Sequence, residues 1–525
     1  MGQRSYSAPT ARSMATTQII SDPFSTEHLH ADLKGRSVRG GFWTLTSQGA
    51  QFVLGSVSTI ALARLLTPAD FGIVAMVTAV TSLGQAFADL GLSEATIQRA
   101  EITHEQVSTL FWVNVAIGLG LTLITMMLAP VLAWFYREPR LFDIALVMSL
   151  TFLIGGLRVQ HTALLKRQMR FSALAIRDVV SLVVGVPVGI ILALRGAGYW
   201  AIVALPLTTN VTQVTLSWLM VRWLPSLPRR GAKVRSLISF GGSVAASYFI
   251  TNMVRSADSI LIGWYWGANP LGLYSRAYNL LMLPVRQLNG PAGSVAIPVL
   301  SRLEADPERF ARYYLRAVNL IIWIAAPIFA FLFVAAKPVI VLVLGHKWEG
   351  ATPVFQILVI SALGQLMLDS SGWLLISRGL SQRLLKLLMI VSPFMIASFA
   401  LGLPFGIKGV ALCGSVVLLA ISPWILSYTF RGTNLTLRRL GRAIAYPVLI
   451  SLVTAGLAEL ALRSSNAQNT IPQLLVVAIS FAASYLLSLA IPEVRREFMS
   501  FSTLLNKSES APLPIPVTDV EGVSL

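Results

Sequence analysis

Three residues that are costly in hydrocarbon follow one another at helical spacing inside an apolar stretch: Asn252, Arg255 and Asp258. A separation of three places them near one face of a helix. Arg255 comes fourteen residues after Gly241, where the stretch begins. That is roughly 21 Å along a helix, well within a hydrocarbon core of about 30 Å. A guanidinium grips phosphate or carboxylate oxygens bidentately, and a nearby carboxylate either titrates or holds the guanidinium in place. The same residues also read as a structural ion pair that fixes helix packing. Asp89, Asp178 and Asp369 stand near the ends of other apolar stretches. Each is a candidate proton or sodium site, or alternatively an arginine partner or helix cap. Arg64, at the end of the first span, reads as a periplasmic gate contact or as a side chain snorkelling to the interface. Arg158, Arg177 and Arg286 form a possible basic vestibule, and also simply mark topology.

Catalytic patterns are missing. The chain has no Gly-x-x-x-x-Gly-Lys, His-Glu-x-x-His or Gly-x-Ser-x-Gly sequence, and only five histidines and one cysteine, Cys413. These point away from nucleotide hydrolysis, a metal site, a disulfide and a hydrolytic triad, so no cofactor, no metal and no enzymatic activity are expected.

The elements that position these residues follow from composition. Of 525 residues, 55% are hydrophobic and only 12% charged, against roughly a quarter charged in soluble domains. A mean hydropathy of +0.70 agrees. We read fourteen apolar segments, at about 40–63, 72–92, 107–134, 141–160, 174–194, 198–221, 237–262, 271–292, 315–344, 352–375, 385–405, 409–430, 443–462 and 471–491. The net charge of +18 falls largely in alternate short gaps between them, such as Lys166 to Arg170, Arg222 to Arg235 and Arg431 to Arg442. That pattern reports membrane topology and not a nucleic-acid partner, and it puts both termini in the cytoplasm.

An internal repeat divides the chain. Gly40-Gly41 is matched by Gly241-Gly242, and Thr67-Pro68-Ala69-Asp70-Phe71-Gly72 by Ala268-Asn269-Pro270-Leu271-Gly272. Six spans per repeat return the chain to its starting side, so the repeats are parallel. The expected fold is an all-α polytopic membrane protein of about 14 transmembrane helices, two six-helix lobes and two extra C-terminal helices. Its parts are a cytoplasmic tail at 1–39, an N-lobe at 40–222, a basic linker at 223–236, a C-lobe at 237–430, spans 13 and 14 at 443–491 and a cytoplasmic tail at 492–525.

The stretch Ala63 to Gly72, then Asp89-Leu90-Gly91, Phe111-Trp112-Val113-Asn114, Ala257 to Gly263, Leu271 to Tyr278, Pro284 to Gln287, Pro298 to Arg302 and Gly345 to Trp348, resembles the polysaccharide biosynthesis (Wzx-type) oligosaccharide-lipid flippases. The ordered set covers roughly residues 36–430. The resemblance implies two lobes in a V that opens alternately to either side of the bacterial inner membrane. It implies as substrate an undecaprenyl-diphosphate-linked oligosaccharide repeat unit, destined for exopolysaccharide or lipopolysaccharide. Membrane lipids, a polysaccharide polymerase and export machinery are the further partners, and nucleic acid is not one. In that setting Asn252, Arg255, Asp258, Tyr274, Arg276, Tyr278 and Arg286 are the candidate substrate-binding residues, the tyrosines as sugar-stacking rings or interfacial anchors. Asp258, Asp89, Asp178 and Asp369 are the ion-coupling candidates. A cation-coupled drug antiporter of the same superfamily is the alternative, disfavoured by Arg255 and Arg276. A membrane polymerase is disfavoured by the short periplasmic gaps, and a purely structural scaffold by the cost of intramembrane charge.

Overall fold

The computed structural model describes residues 33–85, 87–88, 91–99, 101–228, 235–465 and 469–488, together with Phe24 and Ala490. Asp89, most of both terminal tails and residues 229–234 of the basic linker lie outside them. Among the described residues there are fourteen helices of eighteen residues or more. In chain order they are α1 Leu33–Leu65, α2 Pro68–Gln85, α3 His104–Tyr136, α4 Arg140–Arg167, α5 Phe171–Leu194, α6 Trp200–Val221 and α7 Arg235–Trp266. Then come α8 Ala268–Arg302, α9 Pro307–Val334, α10 Thr352–Ser377, α11 Ser381–Gly402, α12 Gly406–Thr429, α13 Leu437–Ser464 and α14 Thr470–Ser488. Each apolar segment of the sequence corresponds to one of them.

Eight stretches, covering nine of these helices, are apolar and long enough to cross a bilayer. The five that fall short are α1, α2, α6, α7 and α8. These carry hydroxyls, amides and charges along their length, and the candidate site is built largely from them. The exterior is apolar, and some polar residues lie sheltered among the packed helices. Met127, Trp134, Leu457 and Ile479 are exposed, while Asn114, Ser149, Gln160 and His161 are fully buried. Lipid solvates the first set, and packed helices shelter the second.

Helix ends carry their own signals. Thr103 and Gln106 cap the start of α3 reciprocally, and Asp306 with Pro307 starts α9. Two segments differ from the sequence reading. The ninth ends at Val334, and a separate short helix follows at Ala336–Val343. The eighth runs on to Arg302 through Pro284, Pro291 and Pro298. Those prolines are seven residues apart, two turns, so their missing N–H groups fall on one side of the helix and the rest of the ladder holds.

Two compact units emerge from the packing. The first comprises Met1–Leu283, Ile340–Ser361 and Leu380–Ile421. Within it one core brings Leu110, Phe111, Leu164, Leu165 and Trp223 together, and His161 stacks on Trp218 at 4.5 Å. The second comprises Pro284–Val339, Ala362–Gly379 and Ser422–Leu525. There α13 and α14 pack on α9 through Val334, Ala458, Val477 and Phe481.

Candidate functional site

The first unit brings together the two turns that the sequence repeats. Thr67 and Asp70 cap α2, the Thr67 amide and hydroxyl donating to the Asp70 carboxylate at 2.9 and 2.6 Å. Gly267, at φ +79°, turns the chain from α7 into α8. Such a φ is costly for any residue with a Cβ. The two helix starts then meet. A Cβ on Gly72 would strike the Ala268 carbonyl, and a Cβ on Gly272 would strike the Pro68 carbonyl. The contact is reciprocal, each glycine receiving the other repeat's backbone.

Aromatic and cationic groups surround this contact. Trp348 is fully buried, donates its indole N–H to the Ala63 carbonyl at 2.8 Å and meets the Phe71 ring edge-on at 5.3 Å. Arg64 donates to the Leu342 carbonyl. Arg276, one turn beyond Gly272 on the same face, lays its guanidinium 4.0 Å from the centre of the Phe71 ring. Its Nε is buried without a hydrogen bond, and among the described residues it forms no ion pair.

Asp258 is 5% exposed. Its carboxylate accepts from the Tyr274 hydroxyl at 2.8 Å and from the Ser259 amide. The sequence suggests an Arg255–Asp258 pair. Instead, Arg255 is exposed, and among the described residues it forms no ion pair. The tyrosine of the adjoining helix satisfies the acid, which frees the guanidinium. Asn252 and Tyr278 are half-buried, and Arg286 is exposed in the second unit.

The remaining carboxylates are engaged elsewhere. Asp178 pairs with Arg177 at 2.7 Å and accepts from Gln213, while Arg177 also reaches Thr162. Arg177 therefore turns inward. Asp369, in the second unit, accepts from Asn289 and Gln365, both at 2.9 Å. Asp258, Tyr274 and Arg276 thus lie on adjoining helices of one unit, and Asp178 and Asp369 sit in separate networks. Trp348, Phe71 and the paired glycines are the residues that sequence reasoning did not single out. Their signal was present in the repeated turn motif, but a turn motif does not say which turn it touches.

Comparison with known proteins places this architecture. Residues 61–353 match the family described as polysaccharide biosynthesis protein. The chain is 25% identical to the teichuronic acid biosynthesis protein TuaB of Bacillus subtilis (strain 168), over 88% of this chain and 97% of that one. It is 23% identical to the lipopolysaccharide biosynthesis protein WzxC of Escherichia coli (strain K12), over 66% and 71%. In structure it is similar to the lipid II flippase MurJ in an inward closed conformation, with TM-score 0.68 and 14% identity over 86% of this chain and 99% of that one. It is also similar to an inward-facing multidrug MATE transporter, with TM-score 0.57 and 16% identity over 73% and 96%. An all-helical, multi-pass membrane protein with this match across more than half of its length belongs to the polysaccharide biosynthesis protein family.

Proposed function

We propose that this protein flips a polyprenyl-diphosphate-linked oligosaccharide from the cytoplasmic to the periplasmic leaflet of the bacterial inner membrane, by alternating access between lobes at 40–222 and 237–430, with both termini cytoplasmic. The observation that carries this reading is the pair of guanidiniums on α7 and α8. Arg255 and Arg276 lie on α7 and α8, the helices of the seventh and eighth apolar segments, and among the described residues neither has a carboxylate partner. A membrane-embedded cation without a counterion is expensive, so a bound anion is the natural complement. A diphosphate offers bidentate oxygens to planar guanidiniums. Cationic drugs are poorly served by the same arrangement, which counts against the antiporter alternative.

Transport also needs a closure that can open. The Gly72 and Gly272 contact supplies it on the periplasmic side: the two backbones touch at the glycines, and opening would part the Arg276 guanidinium from the Phe71 ring beside them. Asp258, buried against Tyr274, is the ion-coupling candidate best placed to communicate with α8. A polymerase and export machinery would take up the flipped unit.

The test is the leaflet location of the lipid-linked oligosaccharide in cells lacking the protein, complemented by wild type or by Arg276→Ala. Accumulation on the cytoplasmic face, relieved only by wild type, is the expected result. Arrival of unpolymerised units on the periplasmic face without the protein would overturn the reading in favour of a polymerase.

A further inference from the structure

A cavity of about 260 Å³ lies among α2, α4 and α6, apart from the charged residues just described. Thr78, Thr81, Ser82 and Gln85 line it from α2, Val147, Met148 and Thr151 from α4, and Val203, Pro206, Leu207 and Asn210 from α6. None of these is charged. The hydrogen bonds of its hydroxyls decide what it can hold. Thr78 donates to the Val74 carbonyl at 2.8 Å, Thr81 to Thr78 at 3.3 Å, Ser82 to Ala79 at 2.8 Å and Thr151 to Met148 at 2.6 Å. Thr78, Thr81 and Thr151 spend their protons on their own helix, leaving their oxygen lone pairs as acceptors, whereas Ser82 also shares a hydrogen bond with Ser256 on α7.

Two amides complement them. Gln85 is exposed, Asn210 is half-buried, and among the described residues neither side chain has a hydrogen-bond partner. Their NH₂ groups are the donors of the cavity and their carbonyls add acceptors. The opposite wall is apolar, formed by Val147, Met148, Val203, Pro206 and Leu207. We propose that this cavity is a binding site for one neutral sugar ring of the transported oligosaccharide. Sugar hydroxyls donate to the three threonine hydroxyl oxygens and accept from the two amides, and the C–H face of the ring lies on the apolar wall. A phosphate finds no cation here. A bare sodium ion needs oxygens closed to about 2.4 Å around it, and a cavity just below the ~300 Å³ at which small-ligand sites begin is far too large. Ser82 lies 3.0 Å from Ser256, so α2 is joined to α7, the helix that carries Arg255 and Asp258. The site rests on the flippase reading for the identity of its ligand as a substrate part, and it divides recognition into a neutral site in the first repeat and an anionic site in the second.

The experiment is saturation-transfer NMR on the purified full-length protein in detergent. The probes are free glucose, galactose, mannose and N-acetylglucosamine, and separately sodium diphosphate, observed by phosphorus relaxation. Wild type, Asn210→Leu, Thr151→Val and the cavity-filling Leu207→Phe are compared, with monodisperse elution required of each. At least one neutral sugar is expected to receive transfer from wild type. Each variant weakens that binding by about fivefold, the loss expected for one hydrogen bond or its equivalent in volume, while diphosphate binding is unchanged. Three outcomes overturn the site: no sugar receives transfer from wild type, all three variants keep it, or diphosphate binding falls in parallel. The leaflet assay separates this from the parent reading. Sugar binding at the cavity with normal leaflet distribution in the deletion strain would sink the flippase and leave the site, whereas cytoplasmic accumulation without sugar binding would keep the flippase and remove the site.

Discussion

Helices α2 and α8 begin alike and then part company. Both carry a proline in their first turn, and both place a glycine against the other's first carbonyls. At the repeat offset of 200, however, the positions that follow have opposite chemistry. Tyr274 and Arg276 on α8 correspond to Val74 and Met76 on α2, and Asp258 on α7 corresponds to Ser58 on α1. Conversely, Thr81, Ser82 and Gln85 on α2 correspond to Leu281, Met282 and Val285 on α8. The repeats share the surface by which they touch and differ in the groups they offer to a ligand. A transporter of a molecule with a charged and a neutral part has use for such an asymmetry, because one symmetric cavity would have to suit both.

The comparison can be broken most severely at what the halves share. Gly72→Val and Gly272→Val should each abolish complementation of polymer production, a loss of about a hundredfold or more, because a β-branched side chain meets backbone that has no room to move. In a Cys413→Ser background, a cysteine placed at Ala63 should then label faster with a membrane-impermeant maleimide. Normal labelling together with normal polymer would show that the glycine contact is not a closure.

The next largest effect separates the halves. Arg276→Gln should reduce transport by about 30- to 100-fold, as expected when a charge-assisted contact worth roughly 2–3 kcal/mol is lost. Met76→Leu, a volume-conserving change at the corresponding buried position, should cost less than about threefold. Equal effects at the two positions would erase the asymmetry. Flux of lipid-linked substrate into the periplasmic leaflet is the measurement.

Tyr274→Phe strips Asp258 of its side-chain donor and should destabilise the purified protein by about 1–3 kcal/mol, read as a lowered midpoint of thermal unfolding in detergent. Val74→Thr at the matching buried position should cost less, about 1 kcal/mol, because the new hydroxyl can bond a carbonyl of its own helix. The smallest effect lies away from both helices, at the α3–α4 turn. There the Arg140 guanidinium, 2.8 Å from Glu138, holds that carboxyl below the usual carboxylate range. A depressed acid contributes stability that is present above its unfolded pKa and lost as pH falls through the folded one. Glu138→Gln should therefore matter by no more than about 0.5 kcal/mol at neutral pH, and not at all in strong acid. A larger shift in the unfolding midpoint would mean that this turn does more than hold two helix ends.

Much of the fold was legible because bilayer physics acts on composition. Fourteen apolar segments became fourteen long helices, since a backbone in lipid must satisfy its own hydrogen bonds. The boundaries slipped at prolines: the ladder of α8 runs through Pro291 and Pro298 past the expected end at 292, and the ninth segment breaks at Ala335, just before Lys337 and Pro338, which the sequence reading ran through. The site was legible in part. Arg255, Asp258, Tyr274 and Arg276 stood out as polar residues in apolar surroundings. The hydroxyl stripe Thr78, Thr81, Ser82 and Gln85, at spacings of three and one, was equally readable as a polar helix face and went unremarked because no charge marked it.

What the sequence determined by itself is the kind of solvent the chain lives in, the number of helices, the repeat, and which residues hydrocarbon would reject. These follow from local composition and periodicity. Only the tertiary structure decided that Gly72 and Gly272 face each other's backbone, that Asp258 takes Tyr274 in place of Arg255, and that hydroxyls from α2 and α4 converge on Asn210 of α6. Spacing along a helix says which side chains share a face. It does not say which other helix comes alongside, and every one of those pairings is made between helices.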